Sequence, residues 1–451
     1  MTSMTRFTGL LLVTVFGAGI APAEAQTVPQ PAALGDTVLQ RLMGQALLGN
    51  RGIQAARARV NAARAIRVGA ALDLAPAVTA AGGYSRQRLA GATFPGAAGA
   101  FPDQDVWDAG MQLSWEVDLY GRMRRSLQGQ GAMVASAQED VRDAQVLLSA
   151  ELATAWFELR GAQDRLATAQ QNAENQRHTL ALTQERLAAG RGTAFDSERA
   201  RAQLSSTLAV IPALQAAIAA QQYRIAVLVG RPSAEVIPEL AAAGPLPVLP
   251  ASVEVAIPDA LIRERPDVRS AERQVAARSA LSGAARADYL PRLTIGGAAG
   301  YSATTVGSLG NTGTMRYAIG PTLSWPALNL GRVHASVDAA RANETEARAN
   351  YELATQRAVA EIETALAGYR GAHERLALLD DAAAASERAA LLARLRFQEG
   401  AADFLSVLDA ERTLLEAQDR RAQGRTDALT ALISVYRSLG GRLPEAAAGT
   451  N

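Results

Sequence analysis

Leu159-Arg160-Gly161-Ala162-Gln163-Asp164-Arg165-Leu166-Ala167 decides how the chain is built, because it returns 210 residues later as Tyr369-Arg370-Gly371-Ala372-His373-Glu374-Arg375-Leu376-Ala377, identical at six of nine positions. The same offset of 210 carries Ser114-Trp115 onto Ser324-Trp325 and Gly121-Arg122 onto Gly331-Arg332. Further upstream the offset is 215, carrying Ile53 onto Val268, Val60 onto Val275, Asp73 onto Asp288 and Pro76 onto Pro291. A five-residue change of length therefore falls between the two sets of anchors, where a hairpin loop belongs. Self-similarity over this distance means one supersecondary unit used twice. The copies take residues 26–231 and 259–442, with a linker at 232–258 and a tail at 443–451. Pro232, Pro238, Pro245, Pro247, Pro250 and Pro258 punctuate the linker.

Each copy runs through the same order of patterns. A short helical stretch (about 37 to 72, then about 260 to 288) leads into a period-2 region, then a very long helix (about 122 to 189, then about 332 to 399). A glycine-containing tip follows, and then a return helix (about 195 to 230, then about 404 to 440). Pro212 is expected to kink the first return helix. A helix of about 68 residues spans roughly 100 Å, which no compact globular domain of this size hides. In the second long helix Val333, Val337, Ala340, Ala347, Tyr351, Ala354, Ala358, Ile362, Ala365 and Tyr369 recur in steps of three and four, with Glu344 as the break. That is a coiled-coil-like seam, and alanine at so many of its positions lets helices approach closely.

Between the short and long helices the residues alternate. From Val106 to Val117 one face reads Trp107, Ala109, Met111, Leu113, Trp115 and Val117, the other Asp108, Gly110, Gln112, Ser114 and Glu116. Apolar out, polar in, with aromatics near both ends, is what a lipid-facing barrel strand carries, although a soluble half-buried hairpin shares the alternation. The second copy repeats it with Met315, Tyr317, Ile319, Leu323 and Trp325, and partner strands start after Pro76 and Pro291. Pro321 fits badly, because a paired strand loses a ladder hydrogen bond there. Two hairpins give four strands per chain, fewer than the roughly eight of the smallest membrane barrels. Several chains must share a barrel, two making eight strands or three making twelve, and spacing alone does not choose.

At the N-terminus Arg6 precedes the apolar run Leu10 to Phe16, and Ala23 and Ala25 frame a cleavage site, so residues 1–25 read as a secretory signal with Gln26 leading the mature chain. After it no stretch reads as long or apolar enough for a transmembrane helix, so any crossing must use strands closed into a barrel. Without a cysteine there is no disulfide, thiolate metal site or acylated N-terminal Cys. The basic residues are all arginine and nearly balance the acids, at a net charge of +1, which gives no support to nucleic-acid binding. Abundant alanine with only 5% aromatics suits long, closely packed helices.

Chemistry is sparse. His178, His334 and His373 sit far apart in helical surroundings without metal-ligand spacing, and there is no P-loop. Gly296-Gly297-Ala298-Ala299-Gly300 lies in an expected strand and opens no helix, which argues against a phosphate cradle and fits a crowded barrel. No catalytic residue, cofactor or metal site is expected.

Taken together, several motifs resemble the TolC-like outer-membrane efflux family, in particular its multidrug-efflux and NodT-type branch. Ile262-Arg263-Glu264-Arg265-Pro266-Asp267-Val268-Arg269-Ser270-Ala271-Glu272 resembles that branch's Arg-Pro-Asp motif, and Ala284 to Pro291 its approach to the third strand. Trp115 to Arg122 and Gly320 to Pro326 resemble its strand-to-helix junctions, and the family's members commonly carry proline where Pro321 stands. The resemblance covers nearly all of the mature chain. It implies a mainly α fold with a membrane β-barrel: a homotrimer with a twelve-stranded barrel in the outer membrane and a periplasmic tunnel of long helices. It implies docking onto a periplasmic adaptor and an inner-membrane pump, with drugs or other small molecules passing outward through a passive conduit. One departure matters: many close relatives have an acylated N-terminal Cys where this chain has Gln26, so anchorage rests on the barrel.

The family closes its periplasmic end with residues on the last tip and return helix, here Gly400 to Arg412. By that match Leu405 forms an apolar ring, and Asp409 pairs with Arg412 or with an arginine of the neighbouring helix. Three copies of Asp409 around one axis would make a cation-attracting constriction. The tips Gly190-Arg191-Gly192-Thr193 and Gly400-Ala401-Ala402-Asp403, farthest from the strands, are the expected adaptor contacts. The same architecture also serves metal-ion efflux or type I secretion. A periplasmic coiled-coil scaffold or adaptor is the alternative of another class, but an adaptor's small β-barrel or lipoyl-like domain is not evident between the helices.

Overall fold

Two short polar side chains start the described chain. In the computed structural model, which describes residues 36–90, 101–250 and 259–441, Asp36 accepts from the backbone N–H groups of Val38 and Leu39 at 2.9 and 3.2 Å and opens α1 (Thr37–Gly49). Asn50 does the same for Gly52 and Ile53 and opens α2 (Arg51–Leu72). The single helical stretch expected over about 37 to 72 is thus two helices, broken because Asn50 takes an extended ψ of 129°. The signal at 1–25 and the tail at 443–451 lie outside the described residues.

Strands β1 (Ala77–Gln87) and β2 (Gln104–Val117) follow, then α3 (Arg122–Ala188) and α4 (Ala194–Val229). The described part of the linker, residues 232–250, is not slack chain: it holds α5 (Ser233–Leu240), and Arg160 and the Tyr369 hydroxyl donate to its carbonyls at Ala242 and Pro250. The second copy gives α6 (Asp259–Glu264), α7 (Pro266–Arg286), β3 (Arg292–Ala303), β4 (Met315–Ser324), α8 (Leu330–Gln398) and α9 (Phe404–Ser438). Pro266 sits at the first turn of α7, where its missing N–H costs nothing. Pro212 does not interrupt α4, which continues past it on both sides while packed along α3. Helices of 67 and 69 residues reach about 100 Å each.

The seam holds along α8. All ten of its apolar positions are buried or half-buried, and the break, Glu344, is occupied by a bond to Arg348 at 2.7 Å that holds its carboxyl below the usual range. The main core lies where α1, α3, α4, α8 and α9 converge, around Trp156, Phe157, Ile362, Tyr369 and Tyr436. The Trp156 indole N–H donates to Asp36, so the first helix cap is also locked to this core. A smaller cluster, Ala200, Phe404, Val407 and Leu408, joins the two helical hairpins near their tips.

The four strands form one antiparallel sheet in the order β1-β2-β3-β4. Its registers put like with like: Val78 faces Leu113, Tyr84 faces Trp107, Trp115 faces Ile295 and Ile295 faces Pro321. Pro321 stands in β4, whose other edge is unpaired in the single chain.

Candidate functional site

The sheet is fixed to the helices by a contact made twice. The Trp115 indole donates to the carbonyl of Leu74, and the Trp325 indole to that of Tyr289, both at 3.0 Å. These are the same pair carried through the two repeat offsets, so the duplicated Ser-Trp is the peg at the foot of each hairpin. Trp325 itself lies one residue beyond β4, a correction to its expected place within the strand face. Charges cluster at the same level: Arg122 meets Glu116 at 2.8 Å and Asp288 at 4.0 Å, and Arg292 meets Asp288 at 2.7 Å.

One face of the sheet is apolar along most of its length, with the pair Arg86 and Asp105 standing on it only near the end far from the helices. It carries Val78, Ala80 and Tyr84 of β1, the six residues from Trp107 to Val117 named above, Leu293, Ile295 and Tyr301 of β3, and Met315, Tyr317, Ile319 and Leu323 of β4. Many of these are exposed large hydrophobics, including Tyr317 at 79% and Ile319 at 73%. The opposite face is small and polar. A soluble hairpin would cover its apolar face with the rest of the chain; this sheet leaves it bare.

At the far end both hairpins turn alike. Gly190 and Gly400 adopt φ of 72° and 73°, conformations open to glycine. Arg191 and Ala401 then donate to the carbonyls of Arg186 and Arg396, each at 2.8 Å, closing matched C-terminal caps. Thr193 and Asp196 cap α4 reciprocally, while Asp403 caps α9 by accepting from Ser406 at 3.0 Å. Gly192 packs against the last turn of α3, and Ala401 and Ala402 complete the second tip.

Phe404, Val407 and Leu408 face inward from α9, so Leu405, Asp409, Arg412 and Glu416 share its outer face. Leu405 is 43% exposed. Arg412 pairs with Asp409 at 2.9 Å and with Glu416 at 3.5 Å within the helix, and the Asp409 bond raises its pKa. Sequence reasoning missed the brace behind this face. The Phe397 and Phe404 rings pack tilted with their centroids 5.5 Å apart, and the Arg186 guanidinium from α3 sits 4.5 Å over the Phe397 ring. Two of the chain's 8 phenylalanines flanking one tip was the available signal. Glu411, nearly buried, is held by Arg394 at 2.9 Å.

One helix departs from expectation: α4 is long and apolar enough to cross a membrane by length and composition, although no such stretch was read after the signal. The helix packs along α3, and only 17% of its apolar stretch is buried.

A bare four-stranded sheet on helical hairpins about 100 Å long defines an outer-membrane channel subunit. The chain belongs to the outer membrane efflux protein family, whose model matches residues 42–231 and 257–441. It is 30% identical to outer membrane protein OprJ of Pseudomonas aeruginosa, over 90% of this chain and 84% of that protein. It is 30% identical to the pyoverdine export outer membrane protein OpmQ of the same organism, over 91% and 86%. Among solved structures, the outer-membrane channel OprN superposes with a TM-score of 0.85 at 37% identity, covering 92% of this chain and 93% of that one. The protein is therefore an outer-membrane channel of an efflux system, with a periplasmic helical tunnel and strands contributed to a shared barrel. Its relatives are channel proteins rather than enzymes.

Proposed function

We propose that three copies close one twelve-stranded barrel and one helical tunnel, and that the assembly conducts drugs or other small molecules outward from a periplasmic adaptor and an inner-membrane pump. The observation that carries this reading is the sheet itself: β1 and β4 each offer an unpaired edge, and lipid tolerates neither open edge nor unpaired backbone. The largely exposed apolar flank of α4 supports it as a surface for a neighbouring copy. The mass of the assembly in detergent tests it: three chains are expected, and a monomer that stays soluble without detergent overturns it.

In this reading Leu405, Asp409 and Arg412 line the periplasmic constriction, since their shared face of α9 is turned away from the core. Asp409→Ala or Arg412→Ala is expected to raise single-channel conductance in planar bilayers, and Asp409→Ala to lower cation preference, both effects shrinking at high salt. Parental conductance in both variants removes these residues from the constriction. The tips Gly190 to Thr193 and Gly400 to Asp403 meet the adaptor. Gly190→Pro, which cannot adopt φ of 72°, is expected to weaken crosslinking to the adaptor while barrel insertion persists. Undiminished crosslinking excludes the first tip from that contact.

A further inference from the structure

The polar face of the sheet holds few charges. Alanine, glycine, serine, threonine and glutamine fill most of it, and its charged residues among those described are Glu116 and Arg292 at the strand bases and Asp108 and Arg316 farther out. Glu116 is tied to Arg122 and Arg292 to Asp288 at the foot of the sheet. Asp108 and Arg316 are different, because they stand on β2 and β4 with β3 between them.

Strands two apart lie about 10 Å from each other, yet Arg316 Nη2 is 2.7 Å from Asp108 Oδ1. Two features allow this. Gly300 is paired with Arg316 across β3–β4, so no side chain stands under the bridge. Gly300 is also paired with Gly110 across β2–β3, and there the backbones come very close: a Cβ on Gly110 would be 2.9 Å from the Gly300 Cα, and one on Gly300 2.6 Å from the Gly110 Cα. With no side chain at either glycine, the long arginine can lie across β3 and reach the carboxylate. The pair still meets water, the Arg316 side chain being 64% and the Asp108 side chain 35% exposed.

We propose that Asp108 and Arg316 form a balanced charge belt inside the barrel, which keeps the outer part of the channel permeable to ions and charged organic solutes of either sign. The inference rests on the reading that several copies close one barrel, the polar face inward. Each copy then adds one carboxylate and one guanidinium at the same level, and the ring carries no net charge. Removing one member leaves a ring of like charge in a lumen whose low-dielectric walls focus its field. Asp108 also holds Arg316 against the wall rather than across the path of a solute.

The test is selectivity at a salt gradient, with the full-length protein in planar bilayers. Asp108→Asn is expected to lower the potassium-to-chloride permeability ratio about threefold, and Arg316→Gln to raise it about threefold. The double variant is expected to return to the parental ratio, and all shifts to fade near 1 M salt, where the Debye length is about 3 Å. Single variants that keep the parental ratio at low salt overturn the belt. A labelling experiment covers variants that insert poorly, because the native chain has no cysteine. In outer-membrane preparations the Arg316→Cys variant is expected to react several times faster with a cationic than with an anionic water-soluble methanethiosulfonate, and adding Asp108→Asn is expected to remove that preference. Equal rates with Asp108 in place overturn the belt. The Tyr317→Cys variant reports on the barrel separately: if it reacts and Arg316→Cys does not, the polar face is not luminal and the barrel reading fails.

Discussion

Gly161 and Gly371 hold the same place in the duplicated motif and answer to different neighbours. A Cβ on Gly161 would overlap the Thr426 hydroxyl and lie 3.0 Å from its Cβ, because α3 and α9 cross there at backbone distance. A Cβ on Gly371 meets nothing within 4 Å. The difference extends along both helices. In α3, which packs on α2, α4, α7 and α9, Trp156, Phe157 and Leu159 are fully buried. In α8, which packs chiefly on α7 and α9, Leu366 and Ala367, the counterparts of Trp156 and Phe157, are half-buried and exposed, while Tyr369, the counterpart of Leu159, stays buried. Duplication therefore copied the helix and its length, while position in the bundle decided what each face touches. The flank that α8 leaves bare is the one a neighbouring copy would cover in the proposed trimer.

The largest effect that tests this contrast is at the motif. Gly161→Val forces α3 away from α9 and is expected to cost about 3 kcal/mol, as overpacking of a tight crossing does. Gly371→Ala should gain up to about 1 kcal/mol from helix propensity alone. Thermal unfolding followed by the helical circular dichroism signal, at one scan rate, reads both; similar shifts would break the comparison.

The second contrast lies where each return helix ends. Asn50 Nδ2 donates to the Leu228 carbonyl at 2.8 Å in the first half, and Arg265 Nη1 to the Ser438 carbonyl at 2.7 Å in the second. These residues correspond through the offsets of 215 and 210, so one joint is made by a neutral amide and the other by a nearly buried guanidinium. Arg265 also binds Asp267 at 2.8 Å and Glu361 at 2.7 Å, tying α7, α8 and α9 together. Arg265→Met leaves those acids unpaired; since both are partly exposed, a loss of about 2 to 3 kcal/mol is expected. Asn50→Ala should cost about 1 kcal/mol as a lost cap. Equal costs in melting experiments would mean that the charge adds nothing to the joint.

How far such features could be read beforehand follows from their physics. Helix lengths, strand faces and tips were legible, because periodicity and glycine placement are local: α3, α8 and both turns fall within a few residues of expectation. The break at Asn50 was not, since a helix-compatible run hides a cap unless the extended backbone is known. That Asp409 and Arg412 share one face of a helix was legible from their spacing of three; that this face is the outer one was not, because it depends on Phe404, Val407 and Leu408 packing inward. The Phe397 brace and the pairing of Asp108 with Arg316 were not, because each joins elements whose approach only the packed fold specifies.

A third contrast is an acid without a counterpart. Asp143 in α3 corresponds to Leu353 in α8, which is 41% exposed. Burial, reinforced by the negative charge of Asp267 and countered by Arg265, pushes the Asp143 carboxyl up to about 6. Between the ordinary carboxylate range and about pH 6 the folded chain keeps this proton and the unfolded chain gives it up. The stability it contributes is therefore full in acid and lost as pH rises through about 6. Asp143→Asn should be more stable than the parent by about 1 to 2 kcal/mol at pH 7.5, with the gap closing below about pH 4. A gap that does not change with pH would assign the effect to shape rather than charge.

The smallest expected effect is where the halves agree. Gly190 and Gly400 have the same positive φ, open space around the missing Cβ, and cap bonds of equal length. Alanine at either site pays only for the left-handed backbone, about 1 kcal/mol. The following turn is held by its own cap, Thr193 with Asp196 or Asp403 with Ser406, so the penalty should stay within the tip and leave global melting unmoved. Hydrogen exchange of the Arg191 and Ala401 amides is the sensitive reading, since each donates the bond that closes its turn. About fivefold faster exchange is expected at each altered tip, the factor that 1 kcal/mol of local opening gives. A much larger acceleration at Gly400 would point to the weaker cap there, since Thr193 and Asp196 cap reciprocally while Asp403 caps only through Ser406.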